Sequence, residues 1–157
     1  MDRRRAPDLG SVRGPDRPAP GEEREAMSTT LKEMMAAANA AVERIDAERA
    51  RKLMAEKGAL LLDIRDAPEI EKTGRAEGSH HIPRGMLEFR ADPDSPYHDP
   101  ALRRDRPIVL HCASGGRAAL AGKVLQEMGF SEVYNLGGLK DWAEGGGAVE
   151  EPIDPGM

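Results

Sequence analysis

The sequence predicts an α/β fold with a mainly parallel sheet of about five strands flanked by helices. Three short apolar runs bounded by turn residues are typical of buried strands: ALLLDI (59–64), PIVLH (107–111) and EVYNL (132–136). Segments with helical periodicity separate these runs, which favours parallel pairing through crossover connections. We expect two further short strands near Ile45 and near His81-Ile82.

Composition divides the chain into four parts. Residues 1–26 carry proline, glycine, arginine and acidic residues with almost no apolar side chains, so we expect them to be disordered. Met27 opens a more ordinary sequence, and translation could start at Met1 or at Met27. We expect an N-terminal helix within 27–44, one folded domain over 45–147 and a flexible tail over 148–157.

The N-terminal helix has an apolar stripe. Its apolar residues alternate spacings of four and three: Leu31, Met35, Ala38, Val42 and Ile45. The pattern lasts about two heptads, which is short for a coiled coil. Two alternatives stay open: a helix packed on its own domain, or a helix that forms a homodimer.

Capping residues mark the next two helices. Asp46 can cap a helix over 47–57 that ends at Gly58. Asp66 and Glu69 resemble a capping box, so we expect a short helix to begin there.

The remaining elements follow from periodicity and glycines. The stretch 73–100 reads as irregular, with a helical turn or two around 86–90. Residues 117–128 predict an amphipathic helix. Gly137-Gly138 then turns the chain into a last short helix that carries Trp142, which we expect in the core.

Composition also narrows the function. The chain has 157 residues, a net charge of −5 and 3% aromatic residues, which disfavours a nucleic-acid-binding surface. One cysteine excludes an internal disulfide and a zinc site of several thiolates, and the histidines lack ligand spacing, so we expect no metal and no cofactor. No apolar stretch approaches the ~20 residues that span a bilayer. We expect no membrane association and a cytoplasmic location.

The cysteine follows a predicted strand and precedes a predicted helix. This places Cys112 at the carboxyl end of a parallel strand, where open α/β sheets bind their ligands. The loop that follows is small and rich in glycine: Ala113, Ser114, Gly115, Gly116 and Arg117. Its backbone N–H groups can form an anion nest, to which the helix N-terminus and the guanidinium add positive charge.

These features favour a reactive thiolate at Cys112 over a buried packing cysteine. His111 precedes the cysteine on the strand, so the two side chains should point to opposite faces. We therefore expect His111 to pack within the fold rather than to act as a general base.

Four stretches, in order, resemble the single-domain rhodaneses, the sulfurtransferases that carry a persulfide on cysteine. They are LLLDIRDAPEI, HIPRGMLEF continued by DPDSPYH, VLHCASGGRAALAGKVLQEMGF, and VYNLGGLKDW. Together they cover roughly residues 45–145, and the resemblance implies a rhodanese-like three-layer fold. One departure is expected at the family's Gly-His-Ile-Pro-Gly-Ala turn, because the residues compared with it, GRAEGSHH (74–81), lack the proline.

The resemblance implies a chemistry and its residues. Cys112 would take a sulfane sulfur from a donor such as thiosulfate or a persulfide and pass it to cyanide, a thiol or a protein cysteine. The match also implies supporting residues: Asp63, Arg65, Glu69, Arg84 and Glu88. Asp63 could hold loop N–H groups and Arg65 could pair with Glu69, while Arg84 and Glu88 would line the mouth of the site.

Two other functions stay open. A rhodanese module can serve as a protein-interaction unit or a non-enzymatic persulfide relay, and the intact Cys112 argues against the first more than the second. Cell-cycle tyrosine phosphatases and some arsenate reductases resemble this site, but they have five residues between cysteine and arginine where this chain has four. The sequence also shows no clear general acid for a phosphatase, so we rank it below a sulfurtransferase.

Overall fold

A computed structural model of the chain describes residues 28–151. The disorder predicted for residues 1–26 and the last six residues of the predicted tail lie outside the described residues. The chain divides into two units after Leu31, and the fold described here is that of the second unit.

Seven strands and six α-helices make up the described fold. The strands are β1 (Glu43–Arg44), β2 (Leu60–Asp63), β3 (Arg75–Ala76), β4 (His80–His81), β5 (Ile108–Cys112), β6 (Val133–Gly138) and β7 (Val149–Glu150). The α-helices are α1 (Leu31–Ala41), α2 (Ala47–Lys57), α3 (Ala67–Thr73), α4 (Leu87–Ala91), α5 (Gly116–Glu127) and α6 (Leu139–Glu144), and a 3-10 helix spans Arg84–Met86. Within residues 28–151, no helix is long and apolar enough to cross a bilayer.

The central sheet has five parallel strands in the order β1-β6-β5-β2-β4. This confirms the predicted fold class, including the two short strands expected near Ile45 and His81-Ile82. Strand β5 lies in the middle of the sheet, and all five of its residues are buried. The carboxyl end of this strand is therefore enclosed by neighbours on both sides.

Successive side chains of the central strands alternate between two cores. Leu60, Leu62, Ile108, Leu110 and Cys112 belong to one core, which packs under α4 and α5. The other core takes the intervening strand residues Leu61 and Val109. These pack against Ala50 and Leu53 of α2 and Trp142 of α6. The result is a three-layer α/β/α arrangement, with Trp142 buried as predicted.

Local capping explains where the early helices begin and end. The Asp46 side chain accepts a hydrogen bond from the Arg49 N–H at 2.8 Å, and Gly58 ends the helix with φ at +64°. At the next helix the Glu69 carboxylate accepts the N–H of Asp66 at 2.9 Å, as the capping box predicts. These contacts confirm the predicted starts of α2 and α3.

Helix α1 packs on its own domain through one side. Ala38 in the helix and Val42 directly after it are buried, and Gln126 on α5 donates a hydrogen bond to the Ala41 carbonyl at 2.9 Å. Met34 on the other side is 47% exposed. Homodimer formation through this helix stays a prediction.

Two expectations in the irregular regions are wrong. The tail was expected to be flexible from residue 148, yet β7 pairs antiparallel with β3, and Trp142 Nε1 donates to the Ala148 carbonyl at 2.7 Å. The family's turn was expected to lack its proline. Pro83, the second residue after β4, supplies it, is in extended conformation and caps the 3-10 helix.

Candidate active site

The site is built at the carboxyl end of β5. Cys112 is the last residue of that strand, and it is 1% exposed. The Gly115 N–H donates a hydrogen bond to Cys112 Sγ at 3.0 Å. Gly115 can aim its peptide at the sulfur because its φ is +108°, a left-handed conformation that favours glycine. A backbone donor fixed on the sulfur is suited to stabilise negative charge there.

Strand β6 holds the loop from behind through a buried amide. Asn135 Nδ2 donates to the Gly115 carbonyl at 3.0 Å, and its Oδ1 accepts the Gly137 N–H at 2.8 Å. A side chain at Gly138 would collide with the Ala113 carbonyl oxygen, so only a glycine lets β6 approach the loop this closely. The sequence analysis gave Gly137 and Gly138 only a turn and gave Asn135 no role in the site, although the match of VYNLGGLKDW to the family was the available signal.

An ion pair lies at the same edge of the loop. The Arg44 guanidinium packs over Gly137, and its Nη2 lies 3.5 Å from Asp141 Oδ2. The same Asp141 oxygen accepts the Gly138 N–H at 2.8 Å. Nothing in the sequence pointed to Arg44, because it lies outside every motif that carried the resemblance.

Arg117 ends the loop and pairs across the site with helix α3. Its Nη1 and Nη2 donate to the two carboxylate oxygens of Glu69, each at 2.8 Å. These hydrogen bonds, together with the Asp66 N–H, lower the pKa of Glu69 to about 2. The same pairing raises the pKa of Arg117. The expectation that Glu69 pairs with Arg65 is therefore wrong.

Arg65 instead belongs to a buried pair with Asp63. Arg65 Nη2 donates to Asp63 Oδ2 at 2.8 Å, and Nε donates to Oδ1 at 3.0 Å. Its remaining bonds go to Thr73 Oγ1 at 2.8 Å and the Gly74 carbonyl at 2.9 Å. Asp63 accepts from Arg65 and from no loop N–H within the described residues, contrary to expectation.

Burial acts on both titratable groups beneath the loop. Burial raises the pKa of Asp63, but the Arg65 hydrogen bonds and the nearby His111 outweigh it and leave the pKa below its ordinary value. Burial lowers the pKa of His111, whose Nε2 lies 3.7 Å from Asp63 Oδ2. His111 is fully buried, and its lowered pKa favours the neutral imidazole, in line with the expected packing role.

The remaining predicted residues lie beyond the end of β2. Arg84 Nη1 donates to Glu88 Oε1 at 2.8 Å, one helical turn apart. The Arg84 N–H also bonds the Ile64 carbonyl at 3.1 Å, which ties this segment to the end of β2. That Arg84 and Glu88 line the mouth of the site stays a prediction.

A groove of about 560 Å³ opens beside loop residue Ala113. The charged residues of its lining are Arg65, Lys140 and Glu151. The other lining residues are apolar or uncharged: Thr73, Ala113, Leu139, Ala143 and Val149. This groove lies next to the loop on the α6 side.

Comparison with known proteins gives consistent matches. The family model of the rhodanese-like domain matches residues 46–145. A thiosulfate sulfurtransferase, GlpE, of Pseudomonas paraeruginosa is 36% identical over 102 residues, covering 64% of this chain and 83% of that protein. An uncharacterized Bacillus subtilis protein, YqhL, is 34% identical over 85 residues, which are 54% of this chain and 60% of that protein.

Two solved structures extend the comparison. The polysulfide-sulfur transferase homodimer of Wolinella succinogenes superposes with a TM-score of 0.60 at 30% identity, covering 89% of this chain and 98% of that one. A Rhodopseudomonas palustris protein of unknown function, called a possible tyrosine phosphatase, gives a TM-score of 0.71 at 38% identity. That match covers 79% of this chain and 96% of the other.

Proposed function

The chain belongs to the rhodanese-like domain family, and from this we propose that it is a sulfurtransferase that carries sulfane sulfur as a persulfide on Cys112. The observation that carries the proposal is the Gly115 N–H fixed 3.0 Å from Cys112 Sγ at the carboxyl end of the central strand. The loop of four residues between Cys112 and Arg117 supports it further, because its short backbone suits a single added sulfur.

The reaction has two displacements. The Cys112 thiolate attacks the outer sulfur of thiosulfate, the bond from Sγ to that sulfur forms, and sulfite leaves with the electron pair of the broken S–S bond. Cyanide or a thiolate then attacks the outer sulfur of the persulfide, and the Cys112 thiolate leaves. The Gly115 N–H faces Cys112 Sγ, which carries the negative charge before the first displacement and again after the second.

The neighbouring residues divide into two roles in this proposal. Asn135, Gly138 and Glu69 hold the loop in place through contacts with Gly115, Ala113 and Arg117. Asp63 and Arg65 saturate each other beneath the site and act as scaffold. An acceptor could enter through the groove beside Ala113.

A phosphatase is the second candidate, favoured by the name given to the Rhodopseudomonas palustris structure. The charges around the loop weigh against it. A phosphatase needs a protonated acid for its leaving group, whereas Glu69 has a pKa of about 2 and the pKa of Asp63 is also below its usual value. Both carboxylates are hydrogen-bonded to guanidinium groups, so neither can supply a proton near neutral pH.

The intact mass of the protein before and after thiosulfate tests the proposal. The wild type should gain about 32 Da, cyanide should remove the gain, and Cys112→Ser should show neither change. A gain from a small-molecule persulfide but not from thiosulfate would favour the relay. Hydrolysis of an aryl phosphate without any gain in mass would favour the phosphatase and would rule out the sulfurtransferase.

A further inference from the structure

The loop arginine is bound by a carboxylate rather than left free for a ligand. Glu69 takes one N–H from each terminal nitrogen of Arg117, both at 2.8 Å, which is the two-pronged geometry of the strongest arginine pairs. The side chains are 38% exposed for Arg117 and 33% exposed for Glu69. Both side chains of the pair at the end of the loop are therefore open to solvent.

The other positive charges near the loop are also paired or screened, including Arg44, whose Nη2 lies 3.5 Å from Asp141 Oδ2. Cys112 and Asp66 also act on Arg117 as negative charges and, after Glu69, help to raise its pKa. The Arg65 guanidinium is 3% exposed and fully engaged by Asp63, Thr73 and Gly74. Lys140 in the groove beside the loop is 81% exposed and lies 3.7 Å from Glu144, so solvent screens it.

We propose, resting on the sulfurtransferase function above, that Glu69 determines donor selectivity by neutralising Arg117 and so disfavouring donors with two negative charges. Thiosulfate carries two, whereas a small organic persulfide carries at most one. With either donor the same bond forms, from Cys112 Sγ to the transferred sulfur, and the donor's S–S bond breaks. Sulfite leaves from thiosulfate and a thiolate leaves from the persulfide, each with the electron pair of the broken bond.

The selectivity follows from the charge that the donor brings to the rim. An unpaired guanidinium attracts a dianion about twice as strongly as a monoanion at the same distance. Glu69 cancels most of this attraction, so it penalises thiosulfate more than a persulfide. Removing its charge while keeping its shape should therefore change the ratio of the two donors rather than the rate with both alike.

Glu69→Gln tests the proposal, with Glu71→Gln as the matched control. Glu71 is an exposed carboxylate on the same helix, two residues further on. The measurement is the single-turnover rate of Cys112 persulfide formation, followed by quenching and mass, with thiosulfate and with 2-mercaptoethanol persulfide. Glu69→Gln should raise the thiosulfate-to-persulfide rate ratio about tenfold at low ionic strength. The increase should be smaller in 0.5 M salt, where the Debye length is only about 4 Å and the charges are screened. Glu71→Gln should leave the ratio at its wild-type value.

A ratio that stays unchanged in Glu69→Gln, with both rates falling together, would overturn the proposal and leave Glu69 as a structural residue. If Glu69→Gln does not fold, Asp66→Asn gives the same test, because asparagine keeps the helix cap while removing a second negative charge near Arg117. Its ratio should shift in the same direction by a smaller factor. No shift in that variant would also overturn the proposal.

Alkylation of Cys112 separates this proposal from the sulfurtransferase function. Iodoacetate and iodoacetamide attack the same thiolate, but the first is an anion and the second is neutral. Glu69→Gln should raise the rate ratio of iodoacetate to iodoacetamide relative to the wild type, even if no donor loads sulfur. Absence of persulfide in the wild type would overturn the sulfurtransferase function alone, whereas an unchanged alkylation ratio would overturn the role of Glu69.

Discussion

Two arginine–carboxylate pairs meet at helix α3, and they differ in burial rather than in chemistry. Asp63 and Arg65 are 0% and 3% exposed, while Glu69 and Arg117 are 33% and 38% exposed. Both pairs close with N–O distances of 2.8 Å. The buried pair is almost closed to solvent, so its main effect should be on stability, through the cost of leaving one of its charges alone. The half-exposed pair of Glu69 and Arg117 can act through its charges on a ligand that approaches the loop. Exposure, more than residue type, decides whether an arginine beside an anion-binding loop acts on the ligand.

Breaking the buried pair should give the largest effect on stability. Arg65→Met leaves Asp63 as a buried, uncompensated charge and should lower the free energy of unfolding by about 3–5 kcal/mol. Urea unfolding measures this, with Arg103→Met as the control because the Arg103–Asp105 pair is exposed. The control should change stability by less than about 0.5 kcal/mol.

A second variant makes the buried-pair prediction sharper. Asp63→Asn combined with Arg65→Met removes both charges and should recover part of the lost stability, because the penalty comes from the charge left alone. Losses that simply add in the double variant would show that the two side chains do not stabilise each other.

Gly138→Ala separates the shape of the loop from the charge at its rim. The new methyl group would collide with the Ala113 carbonyl oxygen and push the loop away from β6, although both ion pairs remain. Misplacing the loop should lower the rate of persulfide formation about 100-fold. Gly85→Ala is the control, because a Cβ at Gly85 meets nothing within 4 Å. Full activity in Gly138→Ala would mean that the close approach of Gly138 to Ala113 is not needed to fix the loop.

The smallest expected effect is the loss of stability in acid that comes from the half-exposed pair of Glu69 and Arg117. The pKa of Glu69 falls from 4.5 to about 2 in the folded chain, so its contribution to stability is complete above pH 4.5 and disappears as the pH falls through about 2. The stability difference between wild type and Glu69→Gln, measured by urea unfolding, should therefore be constant above pH 4.5 and shrink towards pH 2. Glu71→Gln should follow the wild type throughout. A constant difference down to pH 2 would show that Glu69 does not stabilise the fold through its charge.

Much of the fold could be predicted because its signals are local. The apolar runs that form β2, β5 and β6, and the caps Asp46 and Gly58, each depend on residues close together in the chain. Strands β3 and β7 could not be predicted in this way. They lie outside the central sheet and pair only with each other, and because the two strands are far apart in the chain, no local pattern reports their pairing.

The candidate site shows the same division. The cysteine loop is contiguous, so its residues could be named from the sequence. The Asp63–Arg65 pair was missed, although the two residues lie two positions apart, where an extended chain brings side chains to one side. Arg117 finds its partner Glu69 at a separation of 48 residues. The packing of Gly138 on the loop likewise depends on the approach of another strand, and no local pattern reports such an approach.

The sheet order has a consequence for the newly made chain. Cys112 leaves the ribosome before Asn135 and Gly138, which lie on β6, and β6 pairs with the strand that ends in the cysteine. Synthesis proceeds from the N-terminus, and long-range parallel pairing forms late in folding. A nascent chain that stops short of β6 would carry the whole cysteine motif without the strand that holds its loop. The cysteine motif is therefore synthesised before the site is complete, and we expect the loop around Cys112 to take its final conformation only after β6 has joined the sheet.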